Sequence, residues 1–351
     1  MKPASIRFER NQVVRISGHQ LRIGDMEVDD TQRVRLKGLR TPLSGSHIRL
    51  AASHFHTLAP GGNPPQLSLV AFNLTGEPGA LEHSFPLAQG LPPKRRAEFH
   101  QVLDRLVAMD QLRITLSGEG KRDRTRALPA GVRHLLAGLI LEPLFFRQDL
   151  LGAFFTRRKV FKLYTTLQAL RDDGGVGGGC YHPGRRIMQL ALPRLWEGFD
   201  QSLPGVSPFL HEFGHMLDAF DERRLRLDRL DGFLPGMDES ASAAFIEGKA
   251  IELERYRTCQ YQPQPDQARQ PLGNPYVFTN DREFLAGYFE MFFRNPHAFA
   301  SRNPTLYRAF ARTLRQDPRD WLKTDFNGYV NANFKVYSSG VELAPPHIHL
   351  I

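Results

Sequence analysis

The spacing of apolar residues changes once along this chain, and the change limits what the chain can fold into. From residue 6 to about residue 74, short runs alternate between apolar and polar residues and are separated by Gly, Asp and Pro. Alternation bounded by turn residues predicts β-strands. From residue 128 onward, apolar residues recur mainly at helical spacing. The pattern therefore excludes a uniform architecture and predicts two parts of different kind.

The boundary between these parts is predicted at residues 118–126, GEGKRDRTR, which are glycine-bearing, charged and without periodicity. A helix at about 94–109 and a strand at about 112–117 close the first part. We therefore predict an α+β chain with a β-rich N-terminal domain of unknown role over residues 1–120. Residues 126–324 form a mainly helical domain with a small edge sheet, which includes a strand at about 186–192. Residues 325–351 form an irregular C-terminal tail.

Composition excludes several classes of protein. Hydrophobic residues make up 41% and charged residues 24%, which is typical of globular proteins. The net charge of +9 would suit an acidic partner, but no nucleic-acid-binding motif accompanies it, so nucleic acid is not an expected partner. The apolar run at 135–146 falls short of the about 20 residues of a membrane helix. Two cysteines and a charged N-terminus without a signal-peptide pattern indicate a cytoplasmic protein with no membrane attachment.

Two histidines one helical turn apart carry the clearest chemistry. Ser207 and Pro208 predict a helix start, and the helix should continue to about residue 220. His211 and His215 then lie on one face with Glu212 beside them. Two neutral imidazoles on one rigid helix suit zinc, which needs a third protein ligand and an open water position. The alternative is an amphipathic helix with two surface histidines.

A second helix carries carboxylates among apolar residues. It follows Asn280 and bears Glu283 and Glu290, seven residues apart on one stripe. Carboxylates on such a helix are unfavourable unless they are paired or bind a cation. Spacing does not decide which of the two would complete a metal site. Glu283 also fits a capping box with Asn280, and that alternative stays open.

Together the two segments resemble a known family. The HEFGH segment at 211–215, followed by Tyr276, Glu283 and Glu290 with six residues between each and the next, resembles the Mlc titration factor A family of zinc metallopeptidases. The same features are similar to the catalytic domain of lethal-factor type peptidases. The resemblance covers about residues 128–321 and implies a zincin domain and a zinc cofactor. It implies metal ligands His211, His215 and Glu283, a general base Glu212, and Tyr276 near the reaction's oxyanion.

The resemblance also carries expectations about activity. It implies aminopeptidase-like hydrolysis of short peptides, and peptides or proteins are the expected substrates. The family is associated with sequestering a transcriptional repressor, so the alternative is a regulatory binding protein whose N-terminal domain contacts a protein partner. Gly287 departs from the lethal-factor pattern, which has an acidic residue there, so the support of the ligands is expected to differ. Asp218 is expected either to orient His215 or to face solvent.

Overall fold

The structure is a computed structural model. It describes residues 86–117, 130–156, 158–164, 167–191, 194, 207–220 and 232–350, together with short strands between residues 4 and 49. In that first stretch the strands are β1 Ala4–Ser5, β2 Val14–Ser17, β3 Gln20–Ile23, β4 Met26–Val28, β5 Arg33–Leu36, β6 Leu43–Ser44 and β7 Ile48–Arg49. Strands β2 to β6 pair in chain order as an antiparallel sheet, and β1 pairs with β7. Most of residues 1–85 lies outside the described residues, so the β-rich N-terminal domain stays a prediction.

The remainder is mainly helical with a small sheet, which confirms the predicted fold class. The helices are α1 Pro86–Gly90, α2 Pro93–Ala108, α3 Ala130–Leu144, α4 Gln148–Phe154, α5 Leu167–Asp172, α6 Pro208–Asp218, α7 Glu239–Tyr261, α8 Asp281–Arg294, α9 Pro296–Arg302, α10 Pro304–Leu314 and α11 Asn327–Ser338. The strands are β8 Leu112–Ser117, β9 Lys159–Tyr164, β10 Gly179–His182 and β11 Ile187–Ala191. Among the described residues, none of the helices combines the length and apolarity that a bilayer crossing needs.

The sheet has the order β10-β11-β9-β8. Strands β8, β9 and β11 are parallel, and β10 pairs antiparallel to β11. The prediction that the strand at 112–117 belongs to the N-terminal part is wrong. In the structure this strand is β8, and its Leu112 pairs with Lys159 of β9. Leu112 and Leu116 lie in the same core as α6 and α8. Parallel strands pair across long connections, so local periodicity in the sequence could not show this pairing. The linker predicted at 118–126 therefore does not separate β8 from the sheet.

Helix α8 lies at the centre of the core, and every residue from Phe284 to Arg294 is buried. It packs directly on α6 at Gly214, where an added Cβ would lie 3.0 Å from the Ala286 Cα. At its last residue, Arg294 forms a buried ion pair with Glu142 of α3, at 2.9 Å and 3.3 Å. These contacts fix both the height and the rotation of α8 against α6.

The C-terminal residues also correct the prediction, because an irregular tail over 325–351 is wrong for residues 327–338. These residues form α11, whose buried side chains recur at helical spacing: Tyr329, Val330, Phe334 and Tyr337. Three Asn and one Gly, which favour helices weakly, hid the helix in the sequence. The Tyr337 hydroxyl donates to the Gly273 carbonyl at 2.7 Å, so α11 belongs to the domain.

After α11, residues 341–350 have no regular secondary structure but are held along the domain. The Ala344 carbonyl accepts from the Tyr256 hydroxyl at 2.8 Å. The N–H of His347 donates to the Phe278 carbonyl at 2.9 Å, and the N–H of His349 donates to Asp281 Oδ1 at 2.8 Å. We call residues 341–350 the C-terminal strap, since it holds the turn before α8 and the first residue of α8.

Candidate metal centre

Helix α6 supplies two imidazoles at a fixed separation. Its start is the predicted one, because the Ser207 hydroxyl accepts from the N–H of Leu210 and Pro208 follows. The apolar side of the helix is buried against the core through Phe209, Leu210, Phe213, Met216 and Leu217. The rings of His211 and His215 have centroids 4.9 Å apart at an interplanar angle of 83°. Both Nε2 atoms can therefore approach one point beside α6.

Helix α8 brings a carboxylate to that point. Glu283 Oε2 lies 2.9 Å from His211 Nε2 and 3.3 Å from His215 Nε2. One ligand atom from each of the three residues lies within 4.8 Å of the others, a grouping that could hold a metal ion. Two imidazole nitrogens and one carboxylate oxygen are a donor set that catalytic zinc uses. The residues present therefore fit a zinc ion.

Of the two hydrogen bonds of a capping box, the structure has the one from the backbone to Asn280 but not the one from Glu283 back to the backbone. The Asn280 side chain caps α8, since it accepts from the N–H groups of Arg282 and Glu283 at 3.0 Å each. The Glu283 carboxylate, however, points to the two histidines. A capping box needs it to return to the backbone of Asn280.

The contacts within the group shift its pKa values. Burial alone would raise the pKa of Glu283, but hydrogen bonds from His211 and His215 outweigh it and hold that pKa well below its ordinary value. Burial opposes the charged ring of His211, yet Glu283 and Glu290 raise its pKa to about 10. The pocket is thus strongly favourable to positive charge at the point where the ligand atoms meet.

Glu290 contacts His211 from the other side. Its Oε1 accepts from the N–H of Ser207 at the start of α6, and its Oε2 lies 3.7 Å from His211 Nδ1. The second distance is a charge contact and exceeds a hydrogen bond. Only 4% of the Glu290 side chain is exposed, and Glu290 is not part of the three-residue group. It is placed to hold the His211 ring and the start of α6.

Glu212 faces the sheet edge beside the metal group. Its carboxylate accepts from the N–H of Tyr181 in β10, and an added Cβ at Gly179 would lie 3.4 Å from its Cγ. Burial raises the pKa of Glu212 and the charge of Glu283 adds to this, while the two histidines oppose it. A raised carboxylate pKa suits a group that accepts a proton and later releases it.

Tyr276 lies on the 3₁₀ turn Pro275–Phe278 that precedes α8. Its side chain is 56% exposed, so it is not a core aromatic. The hydroxyl hydrogen-bonds Glu283, and burial of the phenol together with the charge of Glu283 raises its pKa to about 12. The turn packs against Gly287 of α8, where an added Cβ would lie 2.3 Å from Val277 Cγ1.

Asp218 does not face solvent, so that alternative is wrong. Only 2% of Asp218 is exposed. Its Oδ1 accepts from the N–H of Gly232 at 3.2 Å, and its Oδ2 lies 3.8 Å from Arg282 Nε. These contacts do not test whether Asp218 orients His215, which stays a prediction.

Sequence reasoning missed the strand nearest to the site. The predicted strand at 186–192 is confirmed as β11, but β11 is interior and the edge strand is β10. β10 has only four residues and directly follows a glycine cluster, so its sequence shows no strand pattern. Gly184 between β10 and β11 was the one sequence feature that indicated a hairpin. Cys180 is on this strand. Its Sγ lies 3.4 Å from His182 Nε2, and burial raises the thiol pKa, which makes the thiol less reactive.

Comparison with known families agrees with this site. Residues 154–315 match the family model of the glucose-regulated metallo-peptidases M90. The matched region contains α6, the turn with Tyr276 and α8, and it confirms the resemblance to the Mlc titration factor A family. The match indicates a metallopeptidase and therefore a metal ion. A search among curated proteins finds no match.

Proposed function

We propose that this chain, whose residues 154–315 match the M90 metallopeptidases, is a zinc-dependent peptidase. The observation that carries the proposal is the convergence of His211, His215 and Glu283 from two helices, with ligand atoms within 4.8 Å of one another. When bound, zinc polarises the scissile carbonyl and lowers the pKa of a bound water to about 7. Three protein ligands leave a position open for that water.

Glu212 is the general base of this proposal. It directly follows His211 in sequence but is outside the three-residue group, so its carboxylate can receive the proton of the attacking water. It then delivers that proton to the leaving amine. The Tyr181 N–H holds the carboxylate at the sheet edge, where the peptide bond would lie.

Tyr276 is the proposed donor to the oxyanion. Its hydroxyl bonds Glu283, and its ring centroid lies 6.3 Å from that of His211, so the phenol is beside the metal group. A neutral phenol keeps its proton at neutral pH and can donate it in a hydrogen bond to the developing negative charge. The raised pKa of Tyr276 supports that neutral form.

β10 is the proposed docking edge for the peptide. The Gly178 carbonyl accepts from Ala191 of β11, so residues 178, 180 and 182 face β11. The backbone polar groups of Gly179 and Tyr181 consequently point away from β11, and one of them, the Tyr181 N–H, bonds Glu212 of α6. An extended peptide can add to the other groups by backbone hydrogen bonds, without selecting a side-chain sequence. From the resemblance to the Mlc titration factor A family we propose aminopeptidase-like cleavage of short peptides, and from the free thiols of both cysteines we propose that it takes place in the cytoplasm.

The test is a peptide-library digest by the zinc-loaded chain, with Glu212→Gln as the key variant. We expect hydrolysis that a chelator abolishes, and a Glu212→Gln chain that keeps zinc but loses turnover. Glu254→Gln, an exposed carboxylate on α7, is the control and should behave as the native chain. Hydrolysis that survives Glu212→Gln would refute the mechanism. A zinc-loaded native chain that cleaves no peptide would leave the partner-binding alternative.

We further propose that the peptidase unit begins by Pro86, ahead of the linker at 118–126. β8 supplies a strand of the sheet, and α2 buries Phe99, Val102, Leu103 and Leu106. A chain that starts near residue 84 should therefore fold and bind zinc, whereas one that starts at residue 125 should not. Equal zinc binding by the two would show that β8 is dispensable.

A further inference from the structure

Arg282 lies at the metal centre without a role in the proposed mechanism. It directly precedes Glu283 in the first turn of α8, and 34% of its side chain is exposed. Within the described part of the chain, no hydrogen bond to its guanidinium is found, and its Nε is buried without an acceptor. A guanidinium carries five N–H donors in a fork that matches a carboxylate, so this cation has unused binding capacity.

The charge of this cation acts on two groups of the cleft. The positive charge of Arg282 opposes the rise in the pKa of the Tyr276 phenol, which hydrogen-bonds Glu283. It also acts on the phenol of Tyr181, whose backbone N–H holds Glu212. The guanidinium is therefore within electrostatic range of the turn before α8 and of the edge strand.

The neighbouring charges do not satisfy Arg282. Among the described residues, the Asp218 carboxylate approaches it, but its Oδ2 is 3.8 Å from Arg282 Nε, which is beyond hydrogen-bond distance. The other oxygen of Asp218 accepts from Gly232. A second cation, Arg186 in the β10–β11 hairpin, is exposed and also acts on Tyr181. In the part of the chain that the structure describes, this end of the cleft therefore presents two cations to solvent, while Asp218 is buried.

We propose that Arg282 is a specificity-determining residue that binds a carboxylate of the substrate peptide. The proposal rests on the proposed peptidase function and adds the substrate class, namely peptides with a negative charge at the end of the cleft beside Asp218. That charge comes from the C-terminal carboxylate of a short peptide or from an acidic side chain. A partly exposed guanidinium next to Glu283, without an acceptor among the described residues, is what a peptide carboxylate would pair with.

The experiment compares matched peptides on the zinc-loaded full chain. One pair is tetraalanine with a free C-terminal carboxylate or a C-terminal amide, and the other is an amidated alanine peptide with one internal Glu or Gln. In the native chain, we expect kcat/KM to favour the charged member of one pair by roughly ten- to hundredfold. Arg282→Gln should bring that ratio close to one, and Arg282→Lys should restore part of it. Arg308→Gln, an exposed arginine on α10, should keep the native ratio.

A binding measurement separates this inference from the function on which it rests. Calorimetric titration of the same peptides into zinc-loaded Glu212→Gln chain, with and without Arg282→Gln, reports recognition without turnover. Carboxylate-dependent binding that Arg282→Gln removes supports the inference even when no peptide is cleaved. Cleavage with equal rates for charged and neutral peptides overturns the inference and leaves the peptidase intact. A ratio that Arg282→Gln leaves unchanged also overturns it, and thermal unfolding of each variant identifies any that are unfolded.

Discussion

The two ends of α8 carry similar charged residues in different surroundings. At the open end, Glu283 is 15% exposed and shares its carboxylate with two histidines, next to the exposed Tyr276. At the buried end, Glu290 holds the start of α6, and Arg294 pairs with Glu142. The same helix therefore provides the reacting end of the site and its rigid support. Solvent accessibility, more than residue type, distinguishes the residues placed to react from those that support the fold.

Glu283 and Glu290 are equivalent in the sequence pattern of α8, although their surroundings differ. Seven residues separate them, so they lie on one stripe of the helix. Glu283 contacts histidines that can bind a metal ion together with it. Glu290, in contrast, accepts a hydrogen bond from a backbone N–H of α6. Variants at the two ends should consequently fail in different ways.

The largest effect is expected at the open end, for Glu283→Ala. Two imidazoles alone hold zinc much more weakly than two imidazoles with a carboxylate, so the purified variant should contain little zinc and show background turnover. Metal analysis after zinc-supplemented purification measures this, with Glu254→Ala as the control. A fully loaded Glu283→Ala chain beside a zinc-free Glu290→Ala chain would reverse the roles of the two ends.

At the buried end, Glu142→Gln should reduce stability rather than chemistry. It leaves Arg294, whose side chain is 1% exposed, without its charged partner. The expected loss in free energy of unfolding is about 3–5 kcal/mol. Denaturant unfolding measures it, and Glu254→Gln should remain within about 0.5 kcal/mol of the native chain. A loss of turnover at unchanged stability would instead connect this ion pair to the reaction.

The next effect concerns Tyr276→Phe, which removes one hydroxyl at the open end. Zinc content should stay native because Tyr276 is outside the three-residue group. Turnover should fall about 100-fold, the usual effect of losing one oxyanion donor. Steady-state kinetics with a cleaved peptide distinguishes a fall in kcat from a rise in KM. Native kcat in Tyr276→Phe would return this residue to substrate packing.

The smallest effect is expected for Glu290→Gln. The amide oxygen can still accept from Ser207, but the charge beside His211 is lost. Zinc affinity should weaken roughly 10- to 100-fold, as for other groups that hold a ligating histidine, while the fold is kept. Competition with a zinc chelator of known affinity gives the value. Unchanged affinity would show that the 3.7 Å contact with His211 has no part in metal binding.

The sequence was informative where the relevant contacts are local. The start of α6 at Ser207 and the spacing of His211 and His215 follow from neighbours within one helix, and the structure has them as expected. The position of β8 and the edge role of β10 depend on which strands meet, and residues far apart in the chain decide this.

Arg282 shows the same limit at the level of one side chain. In the sequence it is one charged residue in the first turn of a helix, where solvent exposure is the ordinary expectation. Its proximity to Asp218 of α6 and its electrostatic effect on Tyr181 and Tyr276 depend on how distant parts of the chain meet. Glu142 and Arg294 are likewise 152 residues apart, and no local pattern connects them.

The C-terminal strap has a consequence for the order in which the site is completed during synthesis. A ribosome adds residues 341–350 after all three metal ligands and after Tyr276. Until then, the Phe278 carbonyl and Asp281 lack their bonds to His347 and His349. A nascent chain therefore holds every reacting group before it holds the restraints on the turn beside them. Metal uptake can precede the final positioning of Tyr276, so the two events are separable in time.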